Sequence, residues 1–398
     1  MRFPGFEGEW KYSKIEDFFE FKNGLNKEKE FFGKGTPIIN FTDVYKLSSI
    51  KKKDIRGLVE LNDSERERFS AKIGDVFFTR TSETIDDIGM TATLVEEIND
   101  CVFSGFVLRA RPKNSDFFPK FTSYLFSVNS VRKEIVTKSS MTTRALTSGT
   151  LLNKVNFTFP DNLNEQTKIA SFLTKIEERI QTQNKIIEDY QLLKKGTMQK
   201  LFKQELRFKN RKGALYSEWE KKKMSQIAIF FSGGTPKSSN THFYNGDIPF
   251  IGSGDISKEK VENFITKQAY KNSSAKMVEG GDILYALYGA TSGEVALSKI
   301  KGAINQAVLC IKTEEVKIFI VELLKYNKSK IVSKYLQGGQ GNLSAKIVKD
   351  LKFYIPSVSE QKKIANTLSA IDAKIALETK LLDTYKLQKK YLLQNLFI

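Results

Sequence analysis

The sequence contains one helical pattern twice. EQTKIASFLTKIEERI begins at Glu165 and EQKKIANTLSAIDAKI at Glu360, an offset of 360 − 165 = 195 residues that continues without a gap to the C-terminus. In both copies apolar residues recur in alternating steps of four and three, the heptad pattern of a helix that buries a narrow seam against another helix. A helix of about 38 residues is about 57 Å long, too long for an ordinary small domain to cover. The two helices are therefore expected to pack against each other.

The predicted seam positions are mostly Ile, Leu and Tyr. They are Ile169, Leu173, Ile176, Ile180, Ile187 and Tyr190 in the first copy, and Ile364, Leu368, Ile371, Ile375, Leu382 and Tyr385 in the second. Both copies become polar at the same steps, where Gln183 matches Glu378 and Lys194 matches Lys389. The alternative, two unrelated amphipathic helices that each lie on their own domain, does not explain why the two registers agree.

The segments outside the helices repeat more loosely. TPIINFTDV from Thr36 resembles IPFIGSGDI from Ile248, and GDVFFTR from Gly74 resembles GDILYAL from Gly281. Short β-type runs separated by Gly, Asn and Ser dominate these segments, accompanied by predicted helices. The predicted fold class is α/β (α+β): tandem globular domains, separated by two long helices that form an antiparallel coiled coil, with an internal pseudo-two-fold repeat.

The repeat also predicts the domain boundaries and the place of the N-terminal peptide. The predicted segments are a first domain at 1–162, a helical spacer at 163–205, a second domain at 206–357 and a second spacer at 358–398. LRFKNRKG from Leu206 resembles MRFPGF at the N-terminus, and each precedes a tryptophan. The N-terminal peptide is therefore expected near the end of the second helix, as the Arg207 segment follows the first. Residues 121–136 and 317–336 are predicted to be helical.

Composition narrows the possible partners and environments. The chain has 64 Lys and Arg against 46 Asp and Glu, a net charge of +18, which favours polyanionic partners without identifying one. Cys101 and Cys310 lack the spacing of a disulfide framework or a zinc site. The sequence has neither a signal peptide nor an apolar run of about 20 residues, so we expect a cytoplasmic protein without a membrane partner.

No motif in the sequence indicates catalysis. The glycine-rich pieces fit neither a phosphate-binding loop nor a dinucleotide fingerprint, and they are typical of turns. His242 is the only histidine, so it cannot form a histidine metal cluster or a conventional triad. The nuclease-like triplet that begins at Asp372 lies on the second long helix, without an acidic partner at a suitable spacing. We therefore expect a non-enzymatic chain that binds no cofactor or metal.

Together these features resemble the DNA specificity subunits of type I restriction-modification systems. The resemblance covers essentially the whole chain, and its most specific pieces are GGTPKSSNTHFYNGDIPFIGSGDI from Gly233 and the helices that begin at Glu165 and Glu360. The chain departs from the family pattern at Phe250, where the family usually has tryptophan. The first domain retains only TPIIN of this motif.

The resemblance implies a function and a set of partners. Each globular domain would be a target recognition domain that reads one half of a bipartite, asymmetric site in double-stranded DNA. The helices would set the spacing and dock two methyltransferase (M) subunits, which carry S-adenosylmethionine and methylate adenine N6. Restriction (R) subunits would add ATP- and Mg-dependent translocation and cleavage.

Candidate base-reading residues are polar or guanidinium groups in Gly/Ser/Thr-rich loops, which can reach the base edges of the major groove. They are Arg80, Thr81, Ser82, Thr143 and Arg144 in the first domain, and Lys237, Ser238, Ser253, Tyr288, Thr291, Gln337, Gln340 and Asn342 in the second. Each of these residues also suits an ordinary turn or a solvated loop. The lysine runs 51–53 and 221–223 favour solvated surfaces over phosphate contacts.

Two other functions fit the same sequence. One is a DNA-independent scaffold that binds proteins through the coiled coil, and the other is a specificity module of another restriction-modification type. DNA binding that weakens steeply with salt would separate a DNA-binding subunit from a scaffold, because phosphate contacts release counterions.

Overall fold

The structure, a computed structural model, describes residues 2–335 and 342–397. The chain forms two compact units, one made of Met1–Asn184 and Lys380–Ile398 and the other of Lys185–Thr379. Each unit therefore contains one globular part with a portion of each long helix. The boundaries predicted from the repeat stay a prediction, because the compact units cut across both helices.

The first unit is built from short strands and helices that precede the first long helix. Its strands are β1 Lys11–Lys14, β2 Phe19–Asn23, β3 Phe32–Ile39, β4 Ser49–Ile50, β5 Gly57–Val59, β6 Val76–Thr79, β7 Thr81–Ser82, β8 Thr91–Leu94, β9 Val102–Phe103, β10 Val107–Pro112, β11 Ser140–Met141, β12 Ala145–Leu146 and β13 Asn156–Phe159. Its helices are α1 Ile15–Phe18, α2 Phe41–Lys46, α3 Asp63–Arg68, α4 Pro119–Leu125, α5 Asn129–Lys138 and α6 Gly149–Leu152, and α7 Leu163–Phe202 is the first long helix.

The second unit repeats most of these elements. Its strands are β14 Glu220–Lys223, β15 Ala228–Ser232, β16 Tyr244–Ile251, β17 Phe264–Ile265, β18 Lys276–Val278, β19 Ile283–Ala286, β20 Val295–Leu297, β21 Gly302–Ile304, β22 Val308–Thr313 and β23 Lys352–Ile355. Its helices are α8 Met224–Ile227, α9 Lys267–Lys271, α10 Lys317–Tyr335 and α11 Ala345–Asp350, and α12 Val358–Asn395 is the second long helix.

The two globular parts share a sheet plan. The main sheet has the order β2-β10-β6-β8-β4 in the first unit and β15-β22-β19-β20 in the second. A second sheet contains β5-β3-β9 in the first and β17-β16-β21-β18 in the second, and a two-stranded ribbon pairs β1 with β13 and β14 with β23. The first unit adds the small sheet β11-β12-β7. The mixed α/β repeat predicted from the sequence is confirmed.

The central strands β6 and β19 are buried on both faces. Side chains alternate between the faces of a strand, so Val76 and Phe78 enter the core beside α4 and α7, while Phe77 enters a smaller core behind the sheet. In the second unit, Ile283 and Tyr285 likewise enter the core on one face of the sheet, and Leu284 enters the core on the other face. Each unit therefore has a sheet between two hydrophobic layers.

The repeated Gly-Asp dipeptide before each central strand is a structural turn. Gly74 and Gly281 have positive φ values of 89° and 84°, which glycine adopts without a steric penalty. The carboxylates that follow them accept backbone N–H groups, Asp75 from Lys72 at 2.7 Å and Asp282 from Glu279 at 2.9 Å. These buried aspartates thus fix a turn in both units.

The two long helices pack against each other within each unit, and they run antiparallel. In the second unit Lys194 pairs with Asp372, and Lys374 lies over the Tyr190 ring. Residue numbers therefore rise along one helix as they fall along the other. In the first unit Lys389 pairs with Glu177. The predicted seam residues Leu173, Ile176 and Leu368 are buried, and every other predicted seam residue is buried or half-buried. The coiled-coil prediction is confirmed.

Each long helix has a buried glutamate in its first turn that is held by an arginine and a tryptophan. Arg2 donates two 2.7 Å hydrogen bonds to Glu165, and Trp10 Nε1 donates at 3.3 Å. In the other unit Arg207 and Trp219 make the same contacts with Glu360. The Trp10 ring also lies 6.1 Å from the Phe397 ring. The predicted position of the N-terminal peptide, near the end of the second long helix, is therefore confirmed.

The helix predicted over 121–136 is wrong as a single element. The structure has α4 and α5 there, separated at Phe126–Val128. Val128 has extended backbone angles (φ −72°, ψ 150°) and caps α5, so the chain turns before the second helix begins. The apolar pattern continues across the break because both helices pack on the same core.

Candidate nucleic-acid interface

Three chain segments of the first unit meet around Arg80, directly after the central strand β6. Arg80 Nη1 donates to the Gly105 carbonyl at 3.0 Å, which places the β9–β10 turn beside it. The Arg80 carbonyl accepts the Thr147 N–H at 3.0 Å, which fixes the segment after β12. Arg80 therefore joins the end of β6 to two neighbouring turns.

The hairpin β11–β12 lies beside the other residues of the first domain that were predicted to read bases. Strand β12 pairs with β7 so that Ala145 lies opposite Ser82 and Leu146 opposite Thr81. Thr143 and Arg144 occupy the exposed connection between β11 and β12. The structure thus brings all five predicted reading residues of this domain into one region.

Phe106 at the tip of the β9–β10 turn is a candidate that the sequence prediction missed. Its side chain is 71% exposed, although it follows Ser104, which is only 4% exposed. The Ser104 side chain accepts the Phe106 N–H at 3.3 Å, and the Ser104 carbonyl accepts the Val107 N–H at 3.0 Å. A tight turn therefore holds an apolar side chain in solvent next to Arg80.

A cleft of about 660 Å³ runs along the edge strand β2 beside Arg80. Arg80, Lys22 and Lys113 contribute cations to it, and Glu16 and Glu20 contribute acids. Partial burial lowers the pKa of Lys22, and Arg109 on the adjacent strand lowers it further. Lys22 forms no ion pair within the described part of the chain. This lysine therefore stands in a local excess of positive charge, which suits an anion.

The second unit has an equivalent turn with different side chains. The Asn305 side chain accepts the Ala307 N–H at 2.9 Å, and the Asn305 carbonyl accepts the Val308 N–H at 3.2 Å. Gln306 is exposed at the tip and accepts a hydrogen bond from Thr235. The turn that presents Phe106 in the first unit thus presents an amide in the second, a residue that the sequence prediction also missed.

Several predicted residues of the second domain lie near this turn. Leu287, just before Tyr288, donates its N–H to the Ala307 carbonyl at 2.8 Å and accepts the N–H of Leu343, the residue after Asn342, at 3.0 Å. The Asn305 N–H donates to the Ile251 carbonyl at 3.3 Å, two residues before Ser253. Tyr288, Asn342 and Ser253 are therefore brought together.

Two further segments of the second domain with predicted residues also reach this turn, since Thr235 donates to Gln306 and Ser292, the residue after Thr291, donates to the Leu287 carbonyl at 3.2 Å. Lys237 and Ser238 are exposed on a turn beyond Thr235, and Thr291 is half-buried in the β19–β20 turn. Gln337 and Gln340 lie outside the described residues.

The lysine runs differ from each other in their surroundings. Lys222 pairs with Glu220 at 3.0 Å and Lys223 with Asp350 at 3.1 Å. Residues 51–53 are exposed, and no ion pair forms on them in the portion of the chain that the structure covers. The 221–223 run is therefore partly neutralised, whereas the 51–53 run is free to meet solvent anions.

Other chemistry is not suggested by the described residues. Burial raises the pKa of the Cys101 and Cys310 thiols to about 12, so both stay protonated at neutral pH. No group of three His, Cys, Asp or Glu side chains within residues 2–335 and 342–397 could hold a metal ion. Over the same ranges, no helix is both long and apolar enough to cross a bilayer.

Comparison with known families gives a match over most of the chain. The type I restriction modification DNA specificity domain matches twice, at residues 7–189 and 216–386. The two matches coincide with the internal repeat, since each covers one globular part and much of the long helix that follows it.

Individual relatives and solved structures agree with this match. The MjaX type I restriction enzyme specificity subunit of Methanocaldococcus jannaschii is 27% identical over 98% of this chain and 92% of its own length. The crystal structure of a type I S subunit from M. genitalium aligns with a TM-score of 0.58 at 18% identity, over 98% of this chain and 96% of that one. A chain from a study of type I system assembly aligns with a TM-score of 0.63 at 14% identity, over 97% of both chains. These structural likenesses show the fold.

Proposed function

This chain belongs to the type I restriction-modification DNA specificity family, and we propose that each of its two target recognition domains reads one half of a bipartite, asymmetric site in double-stranded DNA. As a specificity subunit it is the non-catalytic component of its system. The residues that read bases are proposed to lie on the loops that meet around Arg80 in the first domain and around Gln306 in the second.

One observation carries this proposal: the same turn, on the same scaffold, presents different chemistry in the two units. Gly24 and Gly233 pack equivalent segments closely against the start of the turn, since a Cβ atom would lie 2.2 Å from the Ser104 carbonyl oxygen and 1.7 Å from that of Ile304, the residue just before the second turn. The tips nevertheless differ. By the matching hydrogen bonds, Gly105 and Phe106 of the first turn correspond to Gln306 and Ala307 of the second. Two recognition domains that share a fold but read different half-sites need a common scaffold with different side chains on it.

The charge of the chain supports DNA as the partner. The net charge of +18 favours a polyanion, and Lys22, Arg80 and Arg144 place cations beside the proposed reading loops. Guanidinium and amide groups are the side chains that pair most specifically with guanine and adenine edges. An isolated protein scaffold needs none of these groups in these positions.

We further propose that the long helices dock two M subunits. Leu192 and Leu387 occupy matching positions of α7 and α12 and are 65% and 67% exposed. Leu163 and Val358, at the starts of the two helices, also match each other and are exposed. Repeated apolar positions without a role in the seam suit two copies of one partner. The expected stoichiometry of two M subunits per chain is measurable by native mass spectrometry, and a complex that saturates at one M subunit would contradict it.

The coiled coil is also proposed to set the distance between half-sites. Two readers face the same side of a duplex when they are about one helical turn, roughly 34 Å, apart. Inserting four residues, about 6 Å, into both helices at matched points should lengthen the unread spacer and leave both half-sites unchanged. Sequencing of methylated sites would reveal this change, and an active variant with the original spacer would exclude a spacing role.

Cofactor chemistry is proposed to belong to the partners. S-adenosylmethionine would be bound by the M subunits, and ATP and Mg by the R subunits, with no cofactor on this chain. The principal test is DNA binding by the complex with M subunits, measured between about 50 and 200 mM salt. Sequence-specific binding that weakens steeply with salt supports the proposal, and a complex that binds no DNA would favour the scaffold. Methylation of a bipartite site would distinguish a type I system from a module of another type.

A further inference from the structure

We propose that Phe106 reads a thymine in the first domain's half-site, by packing its ring against the C5-methyl group in the major groove. This inference rests on the proposed DNA-reading function and adds a specific residue and ligand to it. Apolar side chains distinguish thymine from cytosine by this methyl group, which is the only apolar substituent in the major-groove pattern of the four bases.

The first support is the way in which the turn presents Phe106. A single exposed apolar residue is common on protein surfaces. Phe106, however, is 71% exposed at the tip of a turn whose preceding residue, Ser104, is buried and accepts hydrogen bonds from both Phe106 and Val107. The backbone on either side is therefore fixed, and the ring projects from a rigid base.

The second support is the packing beneath the turn. Leu25 donates its N–H to the Phe103 carbonyl at 2.9 Å and accepts the Gly105 N–H at 2.7 Å. A Cβ atom at residue 105 would lie 2.0 Å from Asn26 Oδ1, so only glycine fits there without a rearrangement. Contacts on both sides thus hold the turn before any ligand arrives. Such preorganisation lowers the entropic cost of binding.

The third support is the chemistry around the ring. Arg80 is held by the Gly105 carbonyl, and Arg144 lies on the neighbouring exposed hairpin with Met141 and Leu146, which are also exposed. A purely apolar protein partner would have to bury these guanidinium groups without compensation. The major groove offers phosphates and guanine edges to arginine and thymine methyl groups to apolar side chains, so it matches the whole surface.

The fourth support is the contrast with the second unit. Its equivalent turn carries the small residue Ala307 after Gln306, so it offers an amide instead of an aromatic ring. The contact should therefore exist at one half-site only. Each half-site must contain a thymine if adenine N6 is methylated in each, because every target adenine pairs with one.

The test removes one methyl group at a time from the DNA. Once the methylated site is known, each thymine of both half-sites is replaced by deoxyuridine, and the affinity of the complex with M subunits is measured. The wild-type complex should lose about three- to tenfold affinity at one thymine of the first half-site. Phe106→Ala should lose less than about twofold at that position, and Phe106→Leu should retain most of the effect.

The matched control is Ile73→Ala, which truncates an exposed apolar residue just before Gly74, at the opposite end of the main sheet. It should respond to deoxyuridine as the wild type does. Unchanged discrimination at the other base pairs of the first half-site would show that the first domain of Phe106→Ala folds, and Phe106→Gln serves if it does not.

The inference is overturned if deoxyuridine at no thymine of the first half-site lowers the affinity of the wild-type complex. It is also overturned if deoxyuridine lowers the affinity of Phe106→Ala as much as that of the wild type. Both results leave the DNA-reading function intact, provided that base-pair changes in each half-site still weaken binding. A complex that discriminates between no sequences at all would instead contradict the proposed function itself.

Discussion

The Nζ atom of Lys194 on α7 lies 2.7 Å from Oδ2 of Asp372 on α12. The repeat places a matching ion pair in the other unit, where Lys389 Nζ lies 2.8 Å from Glu177 Oε1. One residue of the neighbouring globular part contacts each ion pair. Glu322 lies 2.9 Å from Lys194, and the Tyr124 hydroxyl donates to Glu177 at 2.7 Å. Each junction therefore joins both long helices to the domain beside them.

Removing the lysine of a junction should destabilise its unit. Lys389→Met leaves the largely buried Glu177 without its closest cation, and we expect a loss of about 1–3 kcal/mol in the free energy of unfolding. Lys386→Met, an exposed position on the same helix, should change stability by less than about 0.5 kcal/mol. Urea unfolding measures both variants. Equal stability of the Lys389→Met variant and the wild type would show that the pair contributes nothing.

The same junction should make stability depend on pH in the acid range. Burial by itself would raise the pKa of Glu177, but Lys389 and the Tyr124 hydroxyl outweigh it, so the pKa is lowered from its ordinary value. A lowered pKa means that the carboxylate contributes its full stabilisation above the unfolded-state pKa, about 4.3, and loses it as pH falls through the folded-state pKa. The urea midpoint of the wild type should thus fall more steeply below this pH than that of Glu177→Gln. Parallel pH profiles would contradict this assignment.

A buried hydroxyl in the second unit should be dispensable. Tyr285 is fully buried, its hydroxyl has no hydrogen-bond partner in the described structure, and burial raises its pKa to about 12. The first unit has Phe78 at the matching position of its central strand. We expect Tyr285→Phe to be neutral or to stabilise the protein by up to about 1 kcal/mol.

Tyr124→Phe is the matched control for that substitution. Its hydroxyl donates to the Glu177 carboxylate, so its removal should cost about 1.5–3 kcal/mol. Thermal or urea unfolding compares the two variants directly. A Tyr285→Phe variant as destabilised as Tyr124→Phe would mean that the Tyr285 hydroxyl has a partner, such as a buried water.

Lys22 should contribute to DNA affinity without contributing to sequence choice. Because it faces the Arg80 cleft without an ion pair within the described residues, we expect it to neutralise a phosphate. Lys22→Gln should weaken binding to all duplexes alike and reduce the slope of log affinity against log salt by about 1. Lys72→Gln, an exposed lysine at the other end of the sheet, should leave the slope unchanged. A half-site-specific effect of Lys22→Gln would indicate base contact instead.

The sequence predicted features that depend on local periodicity. The heptad steps predicted the seam, and the matched polar steps identified Lys194 and Lys389, although not their partners. Glu322 and Tyr124 are far away in the chain, and only tertiary packing brings them to the lysines. Arg80 was predicted because a guanidinium follows an apolar strand.

The residues that were missed look like strand residues in the sequence. Phe106 and Gln306 directly precede the buried runs VLRARP and AVLCIKT, so their exposure depends on where the tight turn ends. Gly24 and Gly233, which pack closely at the start of these turns, belong to segments far away in the chain. A periodicity argument cannot detect such a contact, since it considers neighbours in the chain only.

The claim that each domain reads one half-site is tested most directly with two variants and two sets of duplexes. The affinity of the complex with M subunits would be measured for the intact site and for sites changed in one half only. Arg144→Ala should cost about 1–3 kcal/mol on the intact site and weaken discrimination in the first half-site, with the second unaffected. Gln306→Ala should do the reverse. If either variant weakened discrimination equally in both half-sites, or if the wild type bound all duplexes alike, the assignment of one domain to each half-site would be wrong.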